Sequence, residues 1–346
     1  MRYQISYSVL FVLMALSLAI GAVGLAPSQA RAELQTTGIN LEGIAYPYAV
    51  HTFAFESQHQ LLRMAYMDVA PTANDRGETV VLLHGKNFNG AYFGQVIADL
   101  AAAGYRVVTP DQVGFGKSSK PANYQYSFAQ LADNTVALLD ELNIDKAHVL
   151  GHSMGGMLAT RFALDHSGRT LRLILLNPIG LEDWRRFGVP YQTVDQWYTR
   201  ELDKTADKIK AYQRASYYDG KWNPAYDRWV DLLVAPLQSE DYPRLAWNQA
   251  LTYDMIFTQP VVYEFDRLTM PTLLIVGTRD RTALGKNLVS KEIAATMGRY
   301  DQLGKTVAAR IPDATLIELD DLGHLPHIED YPRFRAAMLP WLSQQE

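Results

Sequence analysis

The 346-residue sequence contains no cysteine. That absence excludes disulfide scaffolds, thiol nucleophiles, cysteine-ligated zinc and iron–sulfur clusters. Positive charge is not in excess either: 32 Lys and Arg stand against 37 Asp and Glu, a net charge of −5. With no basic run, nucleic acid is not the expected partner. Low-complexity tracts and internal repeats are missing, which excludes solenoids, propellers and disordered arrays. Beyond the first 25 residues no apolar run is long enough to span a bilayer. What is present is an ordinary globular composition, 48% hydrophobic and 20% charged, enough for one large α/β core or two smaller ones.

Residues 1–32 read as a segment to be removed. Arg2 precedes an apolar run from Val9 to Leu25, Pro27 and Ser28 break it, and Ala30-Arg31-Ala32 supplies a small-x-small cleavage pattern. Cleavage after Ala32 makes the mature protein exported, periplasmic or extracellular, with no membrane-inserted segment left. The alternative is an uncleaved N-terminal membrane anchor.

The remainder alternates strand and helix patterns. Two β-rich pieces, His51–Glu56 and Leu61–Val69, come first. Thr79–Leu83 is a continuous apolar run of the kind buried on both faces of a sheet. A helical period over Phe93–Ala101 ends at Gly104, and Tyr105–Thr109 (strand), Phe128–Leu142 (helix), His148–Leu150 (strand) and Met157–Leu164 (helix) follow. Leu171–Leu176, Thr272–Val276 and Thr315–Leu319 read as strands, and a helix around Phe334–Leu342 closes the chain. This rhythm predicts parallel βαβ units in a doubly wound, mostly parallel sheet.

Between Gly180 and Phe265 the strand pattern stops and aromatics crowd in, 17 of 86 residues, with five of the six tryptophans. The segment reads as a helical cap laid over the sheet. The expected organisation is a signal peptide (1–32), a core in two parts (33–179 and 266–346) and a cap (180–265). The inner face of the cap is expected to favour apolar substrate groups of modest size, since aromatics supply large apolar areas while Tyr and Trp keep a polar tip.

Candidate chemistry sits where strands end. Gly151-His152-Ser153-Met154-Gly155 follows one strand and opens a helix, the context of a nucleophile elbow in which the serine occupies a strained turn. His84-Gly85-Lys86-Asn87 follows the buried strand TVVLL. In such an architecture the backbone N–H groups of Lys86 and Met154 form the oxyanion hole. His84 reads as a loop-ordering residue, and the Lys86 ammonium is expected to point to solvent. Asp280 ends the strand TLLIV, and His324 follows TLIEL behind Gly323. The order Ser153, Asp280, His324 suits a serine that needs an imidazole to take its proton and a carboxylate to fix the imidazole. His327 is the competing base, read instead as packing behind His324. Asp320 and Asp321 read as solvated charges, and Asn177 stands where another acid could have been. Glu182 and Asp183 are next in line for the acid. His324 and His327 find no further ligands in the sequence, so no metal is expected. Gly114–Ser118 lacks the spacing of a phosphate loop, because Asp111 occupies the required glycine position.

The set HGKN, DQVGFGKSS, GHSMGG, GTRD and GHLPHIE resembles the α/β-hydrolase superfamily, in its capped, esterase-like serine-hydrolase branch, from about Leu41 to Leu342. The resemblance implies a cofactor-free enzyme using a Ser153–Asp280–His324 triad on a small-molecule ester. Serine at 153 argues against the haloalkane dehalogenase and epoxide hydrolase branches, which carry aspartate there. HGGPG and GGSWG of proline iminopeptidases are absent. Leu325 stands where carbon–carbon bond hydrolases usually have tryptophan, and Lys86 where perhydrolase-like members favour an aromatic. Carboxylic ester hydrolysis is what remains, with lactone or thioester hydrolysis, acyl transfer, or non-catalytic ligand binding as alternatives.

The leader reading has a direct test. N-terminal sequencing of material from outside the cytoplasm of the native host should start at Glu33; a chain starting at Met1 in the membrane fraction would establish the anchor instead.

Overall fold

The computed structural model describes residues 37–344. The leader reading falls on residues outside that range. Among the described residues, no helix is long and apolar enough to cross a membrane.

An antiparallel hairpin opens the fold: β1 (Val50–Ser57) pairs with β2 (Gln60–Val69). There follow β3 (Thr79–Leu83), α1 (Gly94–Ala102), β4 (Arg106–Pro110), α2 (Phe128–Glu141), β5 (Ala147–His152), α3 (Met154–Asp165) and β6 (Thr170–Leu176). After a helical insertion come β7 (Thr272–Gly277) and β8 (Ala314–Leu319). The sheet order is β1-β2-β4-β3-β5-β6-β7-β8; β2 runs antiparallel to both its neighbours, and every other pair is parallel. The expected doubly wound, mostly parallel sheet is what the chain forms.

The unbroken apolar run of β3 has a simple cause. Val81 and Leu83 face a core built with α2 and α3, while Val80 and Leu82 face a second core built with α1 and the last helix. Both faces are dry, so neither set of alternate positions tolerates a polar residue. Each such side chain contributes about 1.5–3 kcal/mol on burial. The hairpin lies at the sheet edge, and β1 shows solvent at alternate positions.

The insertion between β6 and β7 holds α4 (Val194–Leu202), α5 (Ala206–Ser216), α6 (Asp227–Val234) and α7 (Tyr242–Thr258), joined by short 3-10 turns. Local signals explain their starts. Thr193 and Gln196 form a reciprocal capping box on α4, and Thr205 caps α5 through the Lys208 N–H. α7 docks on the loop after β4: Gln249 donates to the Gly114 carbonyl, and Asn248 to that of Pro121.

Between β7 and β8 stand α8 (Lys291–Thr296) and α9 (Tyr300–Ala308), which the sequence pattern did not announce. A parallel strand pair cannot be joined without such a crossover. α10 (Pro326–Glu329) and α11 (Tyr331–Leu342) end the chain, α11 covering the second core through Phe334, Met338 and Trp341.

The winding fixes where a site can form. After β3 the chain moves outward to β4, then returns to β5 on the other side of β3. Loops leaving β3 and β5 therefore diverge, which opens a crevice at their carboxyl ends.

Candidate active site

Ser153 follows β5 in this crevice with φ 58° and ψ −120°. A non-glycine residue held there carries about 1–3 kcal/mol of backbone strain, stable only when the surroundings over-determine it. The surroundings do so by proximity. A Cβ on Gly155 would lie 2.1 Å from the Leu83 carbonyl oxygen, and one on Gly151 would lie 2.0 Å from that of Gly155. Only glycine lets β3, β5 and α3 approach so closely.

His324 accepts from this serine: its Nε2 lies 2.9 Å from Ser153 Oγ. On the other side of the ring, Nδ1 lies 2.6 Å from Asp280 Oδ2. A carboxylate can only accept, so Nδ1 carries the proton and Nε2 is left with its lone pair toward the hydroxyl. Asp280 is fully buried, and its charge is held by two further donors, Asn177 Nδ2 at 2.9 Å and the Thr282 N–H at 2.7 Å. The structure thus brings together the serine, histidine and aspartate singled out from the sequence, from the ends of β5, β8 and β7.

The backbone N–H groups of Lys86 and Met154 belong to the loop after β3 and the first turn of α3. As the first helical residue, Met154 has an N–H that no helical carbonyl can take. The turn is carried on α3 behind β5, so a charge developing at Ser153 meets the positive end of that helix.

The other candidates fall elsewhere. His327 makes no hydrogen bond to any described residue and packs against Tyr92, Phe93, His152 and Phe334. Burial, with the neighbouring His324 adding to it, pushes its pKa down to about 3, so it is neutral. Asp320 and Asp321 are exposed, and Asp321 pairs with Lys221 at 2.9 Å. Asp183 is engaged with Arg185, which holds it down at about 2, and Glu182 accepts from the Gly298 N–H. Neither is bonded to His324. His84 orders its loop as expected, bonding the Gly85 carbonyl through Nδ1 and accepting the Gln112 N–H at Nε2. Asp111 ties the DQVGFGKSS turn together, accepting from Tyr46, Gly90 and Lys117.

Ser153, Asp280 and His324 lie within residues 78–331, which match the family model described as alpha/beta hydrolase fold. The chain belongs to this family. A 2-hydroxy-6-oxo-6-phenylhexa-2,4-dienoate hydrolase of Burkholderia cepacia is 39% identical over 78% of this chain and 88% of its own length. A haloalkane dehalogenase of Mycobacterium marinum is 30% identical over 68% and 80%. Among solved structures, a probable hydrolytic enzyme of Pseudomonas aeruginosa PAO1 superposes with TM-score 0.88 at 54% identity, covering 90% of this chain and 99% of that one.

One expectation for this alpha/beta hydrolase is corrected. The Lys86 side chain does not point to solvent: it is 8% exposed. Its Nζ donates to Gln249 Oε1 at 2.9 Å and sits 3.6 Å from the centre of the Tyr253 ring. The physical reason is the insertion, whose α7 closes over the loop after β3 and buries the ammonium against Gln249 and Tyr253.

Sequence reasoning missed three supports. Asn177, read as a missing acid, clamps Asp280 with its amide while its oxygen accepts from the Gly277 N–H. Tyr217, from the insertion, stacks on the His324 ring at 4.6 Å and accepts the His324 N–H with its carbonyl. His152 bonds the His324 carbonyl through Nε2, while its Nδ1 lies 2.9 Å from the Tyr92 hydroxyl, which in turn accepts the Gly85 N–H. The place of His152 directly before the elbow serine was the sequence signal for this chain of bonds.

Tyr92 therefore links the two loops that flank Ser153. Tyr92→Phe strands the Gly85 N–H and His152 Nδ1 in a dry core. It should cost about 1–3 kcal/mol in chemical denaturation, the range for leaving buried groups unsatisfied.

Proposed function

We propose that the protein hydrolyses carboxylic esters through an acyl-enzyme on Ser153. The observation that carries this reading is the continuous bonding from Ser153 Oγ through both nitrogens of His324 to Asp280. In the first half-reaction Ser153 Oγ bonds to the carbonyl carbon as His324 Nε2 takes its proton. The negative oxygen is met by the N–H groups of Lys86 and Met154. The carbon–oxygen bond to the leaving alcohol breaks, and the proton on Nε2 passes to that alcohol. Water then repeats the sequence, releasing the acid and restoring Ser153. Asp280 stays ionised throughout and stabilises the imidazolium. The steps use side chains and backbone alone, so no cofactor is invoked.

The residue at 153 separates this reading from the dehalogenase relative. Attack by serine on a haloalkane would leave an ether that water does not cleave, whereas attack on an acyl group leaves an ester that it does. A second reading, a dienoate hydrolase like the Burkholderia cepacia relative, is favoured by the 39% identity with that enzyme. Leu325 follows His324 where tryptophan is usual in carbon–carbon bond hydrolases, which favours esters. Lactones fall under the same chemistry as esters. The helices between β6 and β7 act in this reading as a cap bounding the substrate pocket, and we place the mature enzyme outside the cytoplasm.

Ser153→Ala should lower turnover of a short-chain nitrophenyl ester by about 10⁶-fold, as loss of the nucleophile does elsewhere, with an unchanged circular dichroism spectrum. Retention of a tenth of the activity would dismiss the assignment. Asp280→Asn should lower kcat by about 10⁴-fold, because an amide can hold the wrong imidazole tautomer. Near-normal turnover in that variant would move the acid to another residue.

A further inference from the structure

Two hollows lie between the loop after β3 and the helices of the insertion. The larger, of 350 Å³, is lined by Asn87, Arg200, Lys204, Lys208 and Tyr253 among others, and the smaller by Lys86, Glu201, Lys204, a few amides and apolar side chains. They share Asn87, Lys204, Ile209 and Leu233, so they meet. The larger volume falls within the range of sites for small organic ligands. Asn87, which lines both, donates through Nδ2 to the Tyr217 hydroxyl at 2.8 Å, and Tyr217 stacks on His324.

Charge here is unbalanced. Lys204 has a counter-ion, Glu201, at 2.7 Å. Lys86 has none: among the described residues its ammonium meets a neutral amide oxygen and an aromatic face. Buried charges are ordinarily paired, since desolvation without a partner is costly. Burial accordingly pushes Lys86 down to about 7, only partly opposed by Glu201. Two ammonium groups against one carboxylate leave one positive charge over, and the outer hollow adds Arg200 and Lys208 against Asp203 alone. Four cations thus face two carboxylates across the two hollows, an excess that suits an anionic ligand.

We propose that these hollows hold the carboxylate of an anionic ester or lactone substrate, with Lys86 and Lys204 as its counter-ions. The inference rests on the ester-hydrolase reading for its substrate class. It also changes the expected substrate: an apolar body packed on the aromatic insertion would carry a carboxylate at its far end. Lys86 then serves twice, its N–H at the oxyanion and its ammonium at the distal anion, which sets the distance between ester carbonyl and carboxylate. Flexible stems on both lysines let chains of slightly different length be accommodated.

Binding tests this without requiring turnover. Ser153→Ala protein is titrated calorimetrically with monomethyl glutarate, a monoanion, and with dimethyl glutarate, its neutral counterpart. The monoanion should bind at least about tenfold more tightly, as a charge-assisted contact in a dry site does. Adding Lys204→Gln or Lys86→Met should reduce that preference to within about threefold. Equal affinity for the two esters, no detectable binding of either, or a preference unchanged in both variants would overturn the proposal. Lys204 is partly exposed, so its variant reports even if Lys86→Met fails to fold. Wild-type hydrolysis of the same esters and labelling of Ser153 by a fluorophosphonate judge the parent reading separately. Absent turnover with the preference intact sinks the hydrolase and keeps the subsite, whereas turnover without preference does the reverse.

Discussion

Ser153 is held in a left-handed backbone conformation, and much of the active-site geometry follows from that constraint. The strain is sustained because β3, β5 and α3 meet at van der Waals limits through Gly151 and Gly155. With the turn fixed, the hydroxyl stands 2.9 Å from His324 Nε2, and α3 begins at the next residue.

Around this turn the polar groups form a closed set rather than separate pairs. Asp280 is satisfied by three donors, and His324 is fixed at both ring nitrogens, at its N–H by Tyr217 and at its carbonyl by His152. Outside it, Glu329 accepts from the Gly323 N–H at 2.6 Å and from Arg279 at 2.6 Å, tying the histidine loop to the aspartate loop. In a dry interior each of these groups would be expensive to leave alone. The network therefore sets the imidazole orientation by over-determination, so little reorganisation is needed when charge moves.

The insertion changes the electrostatics of the site as well as its shape. By covering the loop after β3 it converts an ordinary surface lysine into a buried cation with an aromatic ring and an amide for company. The same helices bring Lys204 and Glu201 alongside. An apolar cover and a residual positive charge together describe a pocket for an amphipathic molecule.

Fold and the candidate site residues were both legible in the chain because both are written locally. The apolar run of Thr79–Leu83, the glycines around Ser153 and the strand-end positions of Asp280 and His324 depend on neighbours a few residues away. What packs against them does not. Asn177 looks like a vacant acid position until the sheet sets it beside Asp280, and α8 and α9 follow from the need to cross between parallel strands. Tyr217 is one aromatic among many until its ring is found on His324. Lys86 shows the division most plainly: its place after β3 follows from the strand pattern, but the burial of its side chain follows only from the insertion packed over it. Sequence alone determined the sheet, the elbow and the strand-end positions of Ser153, Asp280 and His324, since periodicity and turn chemistry act over short distances. Only the tertiary structure decided which groups surround them and where charge is buried, because desolvation depends on segments more than a hundred residues apart in the chain.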